Sequence, residues 1–340
     1  MIEDIRTLAM LDWLENDLLL IINHCERISG DASFRRYFRI NTPEGDFLVM
    51  DAPPEKENLE AFIRIAELLT HFQVHVPAIY KNNLSDGFLL LEDFGSEHFF
   101  DSVNSDNADD RYQYAFDSLF KLQSNASLHN LDLPCYNRAL LQRELAIFQE
   151  WFLQHLLDID IPLNLWENTC ELLIRSALEQ PTICVHRDYH SRNLMIVNGD
   201  TTGIIDFQDA VIGPITYDLV SLLRDCYIAW PEEHVQRWLT LYYWRLIQAD
   251  LLDCNLAQFK RWFDLMGMQR HLKAIGIFSR LHLRDARDGY LKHIPRTLNY
   301  LTSVAVNYPE LTDFTHFLTD TVLPKHSTFL VNYSMTQGNE

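Results

Sequence analysis

The chain has 340 residues, 47% of them hydrophobic, and a formal net charge of −20 at pH 7. This length and composition can bury one large core or two adjoining ones. The negative charge argues against a nucleic-acid-binding or anionic-membrane-binding surface, because no run rich in lysine or arginine offsets it. No apolar segment reaches membrane-spanning length and the first residues lack a signal-peptide pattern, so we expect a soluble, cytoplasmic protein with no obligate protein partner.

The first 95 residues have the pattern of a helix followed by a small antiparallel sheet. Apolar side chains recur at helical spacing over residues 1–25, and a second helix is predicted over 55–73. Short runs of apolar, aromatic and β-branched residues, bounded by turn residues, indicate strands. The predicted strands are 37–40, 47–50, 76–80 and 87–91.

From residue 96 to residue 182 the pattern becomes helical. Apolar residues recur at i, i+3 and i+4 in the segments 109–124 and 138–157. We expect the aromatic side chains of the second of these helices in the core. Glu144 or Trp151 could instead line a substrate cleft.

The stretch VHRDYHSRNL, residues 185–194, carries side chains that phosphoryl transfer requires. That reaction needs a carboxylate to orient the accepting hydroxyl, and oxygen ligands that hold Mg²⁺ on the nucleotide phosphates. Asp188 and Asn193, five residues apart, can supply the carboxylate and one of the ligands. The alternative is that both residues cap turns, as aspartate and asparagine often do.

A predicted hairpin returns a second carboxylate to the same place. Residues 194–197 are apolar, Asn198-Gly199 is a strong hairpin signal, and 203–205 form the returning strand. Asp206 follows that strand directly. We therefore predict that Asp206 lies beside Asn193 and Asp188, with Asp188 as the catalytic carboxylate and the other two residues as Mg²⁺ ligands.

The C-terminal third, residues 232–320, is again helical in pattern. One of its segments places four cations in an otherwise acidic protein: Arg270, Lys273, Arg280 and Arg284. They are either ordinary helix-surface charges or residues that face a substrate cleft. We expect the end of the chain to be a flexible tail.

These motifs resemble the kinase-like small-molecule phosphotransferases, the superfamily of aminoglycoside phosphotransferases and choline kinases. The loop matches the superfamily pattern at His186, Asp188, His190 and Asn193, and has Arg187 where glycine is common. More narrowly, several stretches between residues 10 and 305 are similar to bacterial N-acetylmuramate/N-acetylglucosamine anomeric kinases. They are SGDASFRRYFR (29–39), VMDAPPE (49–55), GFLLLEDFG (87–95), IDFQDAVIGPITYDLVSLLRD (205–225) and MQRHLKAIGIFSRL (268–281).

The resemblance implies an α+β, protein-kinase-like bilobal fold. We expect a small antiparallel-sheet lobe that binds nucleotide at 1–95, a large, mainly helical catalytic and substrate lobe at 96–325, and the tail at 326–340. The implied cofactors are ATP and Mg²⁺. The implied activity is phosphorylation of the anomeric hydroxyl of N-acetylmuramate or N-acetylglucosamine, as in cell-wall recycling.

Two alternatives stay open at this stage. The acceptor could be another small alcohol, such as an aminoglycoside or choline, although these are cationic and prefer an acidic or aromatic pocket. Outside enzymes, the chain could be a nucleotide-binding regulator without catalytic activity.

The resemblance also implies positions that contact the nucleotide. Residues 29–33 take the place of the loop that covers the phosphates, with the backbone of Gly30 and the hydroxyl of Ser33 as contacts, unless this segment is an ordinary β-turn. Glu92 and Phe94 fall in the linker whose main chain hydrogen-bonds the adenine edge.

The clearest departure from the superfamily pattern is Met50, which occupies the strand position of the usual lysine or arginine. Arg35 and Arg36 on the preceding strand point to opposite faces of the sheet. We favour Arg36 as the replacement cation. If neither residue replaces it, the regulator hypothesis gains support. Glu60 and Glu67, in the place of the helix glutamate that pairs with that lysine, are expected to be surface charges.

Acidic and basic residues near the motif have less specific roles. Three roles stay open for Asp209: contact with substrate, binding of a second metal ion, or an ion pair with Arg187. Arg187 or Arg192 could stabilise the developing negative charge. The matching residue in related folds gives Asp218 a structural role as a brace of the catalytic loop.

N-acetylmuramate carries a lactyl carboxylate, which a cation in the cleft would recognise. Arg270 and Lys273 are the candidates for this contact.

Overall fold

A computed structural model describes residues 4–28, 34–125 and 131–337. The chain divides by its internal contacts into unit 1, Met1–Asn125 with Arg192–Ala210, and unit 2, Ala126–Ser191 with Val211–Glu340. The predicted phosphate-covering loop, with Gly30 and Ser33, lies outside the described residues.

Nine strands and twelve α-helices are found in the described residues. The strands are β1 (His24–Ile28), β2 (Arg36–Thr42), β3 (Gly45–Asp51), β4 (Ile79–Asn83), β5 (Phe88–Glu92), β6 (Thr182–Val185), β7 (Leu194–Val197), β8 (Thr201–Ile204) and β9 (Val211–Pro214). The helices are α1 (Ile5–Asp12), α2 (Leu59–His71), α3 (Phe99–Ser102), α4 (Ala108–Ser124), α5 (Arg138–Ile147), α6 (Leu163–Leu178), α7 (Tyr217–Leu223), α8 (Glu232–Gln248), α9 (Leu256–Asp285), α10 (Ile294–Ala305), α11 (Thr312–Phe317) and α12 (Leu323–Gln337).

Within the described ranges, three of these helices continue with π-helical geometry, and two short 3₁₀ segments lie between helices. The π-helical continuations are Trp13–Asp17 after α1, Phe148–Leu156 after α5 and Leu318–Val322 after α11. The 3₁₀ segments are Asp288–His293 and Pro309–Leu311. No helix in the described ranges has both the length and the apolar character needed to cross a bilayer.

A five-stranded antiparallel sheet forms the centre of unit 1, in the order β1-β2-β3-β5-β4. The four predicted strand segments all overlap β2 to β5. Strand β1 was not predicted, because its residues are mostly exposed and it begins inside the segment predicted as one long helix. That helix is shorter than predicted: it ends at Asp17, and its buried Met10, Trp13 and Leu14 pack in one core cluster with residues of the sheet.

The predicted hairpin is present, and it belongs to unit 1. Strands β7 and β8 pair antiparallel, and the turn residues Asn198 and Gly199 have φ values of 53° and 87°. Asparagine and glycine tolerate this left-handed region better than other residues do. The ring of Phe94 lies 2.6 Å from where a Cβ on Gly203 would stand, so glycine allows the hairpin and the linker to approach closely.

Unit 1 extends beyond the predicted lobe boundary near residue 95, since it includes residues up to Asn125 and the hairpin. Hydrogen bonds of the hairpin explain this difference. The amide of Ile204 donates to the carbonyl of His75 at 2.8 Å, and the amide of Ile196 donates to the carbonyl of Glu97 at 2.8 Å. The hydroxyl of Ser118, on α4, donates to the carbonyl of Thr202 at 3.3 Å. These long-range bonds join α4 and the hairpin to unit 1.

Unit 2 is mainly helical and is built around the long helix α9. This helix packs against α5 with its continuation, and against α6, α7 and α10. At Gly276 the backbone of Ile147 comes within 2.6 Å of the position of a Cβ, so a larger residue would push the two helices apart. Strand β6, paired with β9, leads directly into the loop that carries Asp188.

The structure differs from the prediction at the C-terminal tail. Residues 326–337 form most of α12, whereas 338–340 lie outside the described residues. The side chain of His326 is buried, and its ring packs against Phe152 and Phe329. These aromatic contacts give the segment a packed face, which its composition did not indicate.

Candidate active site

A cavity of about 690 Å³ lies within unit 1, and its wall includes the two predicted magnesium ligands. The hairpin brings them together, because the amide of Ile205 donates to the carbonyl of Asn193 at 3.1 Å and Asp206 follows directly. Asp206 has a φ of 63°, and its Oδ1 accepts a hydrogen bond from Nε2 of Gln208 at 2.7 Å. The sequence therefore predicted correctly that Asn193 and Asp206 lie at one place.

The donor atoms at this place are oxygens, which Mg²⁺ prefers. Among the described residues, no group of three or more His, Cys, Asp or Glu side chains could hold a metal ion. A cation here would therefore take the amide oxygen of Asn193, the carboxylate of Asp206 and oxygens from a phosphate ligand. That arrangement suits Mg²⁺, which keeps few protein ligands when it binds a nucleotide.

The linker after β5 forms another wall of the cavity. Arg39 fixes it, since its guanidinium donates to Oδ1 of Asp93 at 2.9 Å and to the carbonyl of Gly95 at 2.8 Å. The carboxylate of Glu92 accepts from the amide of Ala78 at 3.2 Å, so its side chain is already engaged. Within the described chain, the structure records no hydrogen bond for the backbone N–H or carbonyl of Phe94, which lines the cavity.

The sheet places Arg36 away from this cavity. Its guanidinium is bound by the fully buried Asp51, with Nε to Oδ2 at 2.7 Å, and by Asp4. Arg36 is not among the residues that line the cavity. The preference for Arg36 as the replacement cation therefore does not fit the structure, because the strand turns this side chain to the other face of the sheet.

Arg35 lines the cavity instead. Its Nε lies 3.0 Å from Oε2 of Glu57, both side chains are 12% exposed, and the guanidinium lies over the ring of Phe62 at 5.8 Å. Glu57 lies within the segment predicted as a helix, 55–73, but it was not predicted as an ion-pair partner, and in the structure it precedes α2, whose N-cap is Asn58.

Glu60 and Glu67, the two glutamates considered within this helix, are both exposed. This agrees with their expected role as surface charges.

Two carboxylates hold the loop 186–191 in unit 2. Asp218 is buried and accepts the amides of His186 at 2.7 Å and of Arg187 at 3.0 Å, while Asp225 accepts the amide of Ser191 at 2.9 Å. Burial raises the pKa of Asp218 to about 7, although the two backbone N–H groups act in the opposite direction. The structure thus agrees with the predicted bracing role of Asp218.

Arg187 occupies an unusual backbone conformation within this loop. Its φ is 77°, in the left-handed region where glycine has no steric cost. This accounts for the glycine that is common at the position in the superfamily. In this chain the arginine side chain gains an ion pair, since Nη2 lies 2.7 Å from Oε1 of Glu144.

Glu144 is the centre of a buried polar network. Its carboxylate lies 3.0 Å from Nζ of Lys273, accepts from Nε2 of Gln269 at 3.1 Å, and accepts from the hydroxyl of Tyr136. Burial alone would raise the pKa of Glu144, but the charges of Lys273 and Arg187 outweigh it and lower the pKa. Glu144 is therefore an ionised core residue, whereas Trp151 is partly exposed beside His155.

Asp188 lines a smaller cavity of about 100 Å³ in unit 2. Arg270 and Lys273 line the same cavity, as do His190 and Tyr227. Burial acts to raise the pKa of Asp188, but the charges of Lys273, His190 and Arg270 lower it below its ordinary value. The carboxylate is therefore ionised at neutral pH and faces cations across the cavity.

The remaining predicted residues lie elsewhere. Arg280 and Arg284 do not line this cavity, and Arg284 is paired with Asp285 on the helix surface. Asp209 is exposed at a turn in unit 1, and its role stays a prediction. Arg192 lines the cavity of unit 1, with its guanidinium over the ring of Phe100 at 5.3 Å.

Residues 24–250 match the phosphotransferase enzyme family. The chain belongs to this family. It is 41% identical over 325 residues to an N-acetylmuramate/N-acetylglucosamine kinase of Pseudomonas putida, a match that covers 91% of this chain and 95% of the relative. It is 42% identical over 294 residues to a protein of the same name from Pseudomonas aeruginosa, covering 85% and 86%.

Solved structures show the same fold at low sequence identity. A choline kinase from Streptococcus pneumoniae has a TM-score of 0.63 at 12% identity, and the match covers 87% of this chain and 99% of the other. A spectinomycin phosphotransferase in complex with ADP and spectinomycin has a TM-score of 0.61 at 12% identity, covering 94% and 99%. These structural similarities confirm the predicted kinase-like α+β fold, and the family match with its kinase-named relatives confirms the predicted phosphotransferase class.

Replacing Glu144 by glutamine in this kinase should lower the free energy of unfolding by about 3–5 kcal/mol, because the buried Lys273 and the partly buried Arg187 then lack their shared carboxylate. The measurement is urea unfolding, with Glu150→Gln as the control, since Glu150 is exposed on the same helical run. The folded-state pKa of Glu144 is lowered, so its contribution is present at neutral pH and is lost on acidification. The difference between wild type and variant should therefore shrink below about pH 4. A variant within about 0.5 kcal/mol of wild type at neutral pH would contradict this role.

Proposed function

We propose that this kinase transfers the γ-phosphoryl group of ATP to the anomeric hydroxyl of N-acetylmuramate or N-acetylglucosamine. The observation that carries the proposal is the position of Asp188 in a cavity with two buried cations, Arg270 and Lys273. Identity of 41% over 325 residues to a kinase named for these two sugars supports the choice of acceptor. Because ATP is the proposed donor, we also propose a cytoplasmic role, in the recycling of cell-wall amino sugars.

On the nucleotide side, Asn193 and Asp206 hold Mg²⁺ in this proposal. When bound, the ion neutralises charge on the phosphates of the nucleotide. The backbone of Phe94 hydrogen-bonds the adenine edge in this proposal, which is supported by its having no backbone hydrogen bond to any residue that the structure describes. The backbone of Gly30 and the hydroxyl of Ser33 remain proposed phosphate contacts.

Arg35 is the proposed replacement for the strand lysine of other kinases. It lines the same cavity as Asn193 and Asp206, and Glu57 orients its guanidinium through the 3.0 Å ion pair. A guanidinium carries five N–H donors and binds phosphate oxygens through charge-assisted, bidentate hydrogen bonds, so an arginine in this cavity suits a phosphate ligand. The lysine and glutamate pair of other kinases would thus be replaced by Arg35 and Glu57.

On the acceptor side, Asp188 orients the hydroxyl and accepts its proton. An anomeric hydroxyl is more acidic than an ordinary alcohol, so a carboxylate of lowered pKa can serve as the base. Arg187 is a positioning residue in this scheme, because its guanidinium is bound to the buried Glu144. The chain passes from one unit to the other between Ser191 and Arg192, within the five residues that separate Asp188 from Asn193.

The alternatives fit the observations less well. A cationic acceptor, such as an aminoglycoside or choline, would meet Arg270 and Lys273 in the cavity beside Asp188. A regulator that only binds nucleotide would have no need of an ionised carboxylate in a second cavity.

The acceptor and the position of phosphorylation can be tested together. With ATP and Mg²⁺, both N-acetylmuramate and N-acetylglucosamine should yield a sugar 1-phosphate, identified by its ³¹P coupling to the anomeric proton. Their methyl glycosides should give no product, because the anomeric oxygen is blocked. Kanamycin and choline serve as competing acceptors. Turnover of a methyl glycoside, or preference for kanamycin or choline, would refute the proposal.

Replacing Arg35 by glutamine should raise KM for ATP by about 10- to 100-fold, as expected for the loss of a charge-assisted hydrogen bond. The KM for the sugar should change little, since Arg35 lies in the cavity of unit 1. Steady-state kinetics at varied ATP concentrations measures this KM. Arg64→Gln is the control, because Arg64 is exposed on α2 and does not line the cavity. An unchanged KM for ATP in Arg35→Gln would exclude Arg35 as the phosphate cation.

A further inference from the structure

We propose that Arg270 forms a subsite for a carboxylate on the acceptor, and that this subsite makes the enzyme prefer N-acetylmuramate to N-acetylglucosamine. This inference rests on the proposed function and adds to it the residue that separates the two sugars. N-acetylmuramate carries a lactyl ether with a methyl group and a carboxylate. N-acetylglucosamine has a neutral hydroxyl at the same carbon.

The first observation is that Arg270 is buried without an ion-pair partner. It is 6% exposed, and its one recorded hydrogen bond runs from Nη1 to Sγ of Cys226 at 3.8 Å. In the described part of the chain, no carboxylate lies within 4 Å of its guanidinium. The charges of Asp225 and Asp188 act on it only from beyond that distance. A guanidinium has five N–H donors, and this one, which lines the cavity, uses one of them in the bond to Cys226.

Two other buried cations of unit 2, Lys273 and Arg224, have carboxylate partners, which Arg270 lacks within the described chain. Lys273, one helical turn further along α9, has Glu144 at 3.0 Å and the hydroxyl of Tyr217 at 3.2 Å. Arg224, which is as deeply buried as Arg270, is bound by Glu232 at 2.9 Å and Asp264 at 3.3 Å. Buried charges in proteins are normally paired in this way, because desolvation of an isolated charge costs several kcal/mol. Arg270 therefore lacks the anion that its burial requires.

The second observation is the set of side chains that line the cavity. Arg270 shares it with Asp188, so an acceptor whose reacting hydroxyl faces Asp188 can place another substituent against the guanidinium. Ala274, Ile277 and Phe278, on the same face of α9, add an apolar wall beside this charge. A lactyl group has both features, since its carboxylate matches the planar guanidinium and its methyl group matches the apolar wall.

Arg270 also lowers the pKa of Asp188, so its removal should alter catalysis with any acceptor. That effect is common to both sugars and cancels in the ratio of their kcat/KM values. The carboxylate contact exists only with N-acetylmuramate. A change in the ratio of the two kcat/KM values therefore measures the loss of the carboxylate contact. A change in the absolute rates also includes the effect of Arg270 on Asp188.

The test measures kcat/KM for both sugars in wild type, Arg270→Gln, Arg270→Lys and the control Arg280→Gln. Arg280 lies on the same helix but does not line the cavity. In Arg270→Gln the ratio of N-acetylmuramate to N-acetylglucosamine should fall by about 30-fold or more, as for other truncated buried charge pairs. Arg270→Lys should keep part of the wild-type preference for N-acetylmuramate, and Arg280→Gln should keep the wild-type ratio.

A change in the substrate provides a second test that does not depend on the folding of a variant. For the wild-type enzyme, kcat/KM with the methyl ester of N-acetylmuramate should be lower than kcat/KM with the free acid by a similar factor. Arg270→Gln should no longer distinguish the acid from the ester.

A ratio within about threefold of wild type in Arg270→Gln, or equal use of acid and ester by wild type, would overturn the inference. In that case Arg270 would act equally with both acceptors, on the base or on the transferred phosphoryl group. Turnover of both sugars by wild type would leave the proposed function standing. Turnover of neither sugar would refute the proposed function and this inference together.

Discussion

The architecture of unit 2 depends on one buried carboxylate. Glu144 neutralises Arg187 in the loop before Asp188 and Lys273 on α9, so a single anion ties the loop to the longest helix of the unit. Without it, the buried Lys273 and the partly buried Arg187 would lose the carboxylate that offsets the cost of their desolvation. The network also explains why Arg187 can occupy a left-handed conformation, since its ion pair offsets a steric cost of order 1 kcal/mol. Arg270, outside the network, is left with its charge directed at the cavity.

In the proposed mechanism each unit supplies one part of the chemistry. In unit 1 a four-residue strand, a tight turn and a returning strand bring Asn193 and Asp206, the proposed Mg²⁺ ligands, to one cavity, which Arg35 and the linker also line. In unit 2 two carboxylates brace the loop 186–191, and Arg270 and Lys273 of α9 line the same cavity as Asp188, the proposed base. This separation predicts that variants in one unit alter the handling of the nucleotide and variants in the other alter the handling of the acceptor.

Local signals predicted the features that depend on local geometry. The hairpin, and with it the pairing of Asn193 and Asp206, follows from Asn198-Gly199 between two apolar runs. Strand alternation showed that Arg35 and Arg36 face opposite sides of the sheet. It could not show which side holds the cavity, because that depends on long-range partners such as Asp51 and Asp4.

The ion pairs of Glu144 and Glu57 were not predicted. Glu144 was considered only as a possible cleft residue, and Glu57 is one of several glutamates in the helix predicted over 55–73. Strand β1 was missed because an exposed edge strand lacks a buried face that would create alternation. In each case the decisive contact joins residues far apart in the chain. Burial and ion pairing of this kind become visible only in the folded protein.

In the proposed mechanism Asp188 acts on the acceptor and takes no part in holding the nucleotide. The most direct test compares Asp188→Asn with wild type in two measurements, the rate of phosphoryl transfer to N-acetylmuramate and the Kd for ATP with Mg²⁺. We predict a fall in kcat of about 10²- to 10⁴-fold, the range for loss of a general base, with Kd changed by less than about threefold. Wild-type-like turnover in Asp188→Asn, or loss of ATP binding together with activity, would contradict the account.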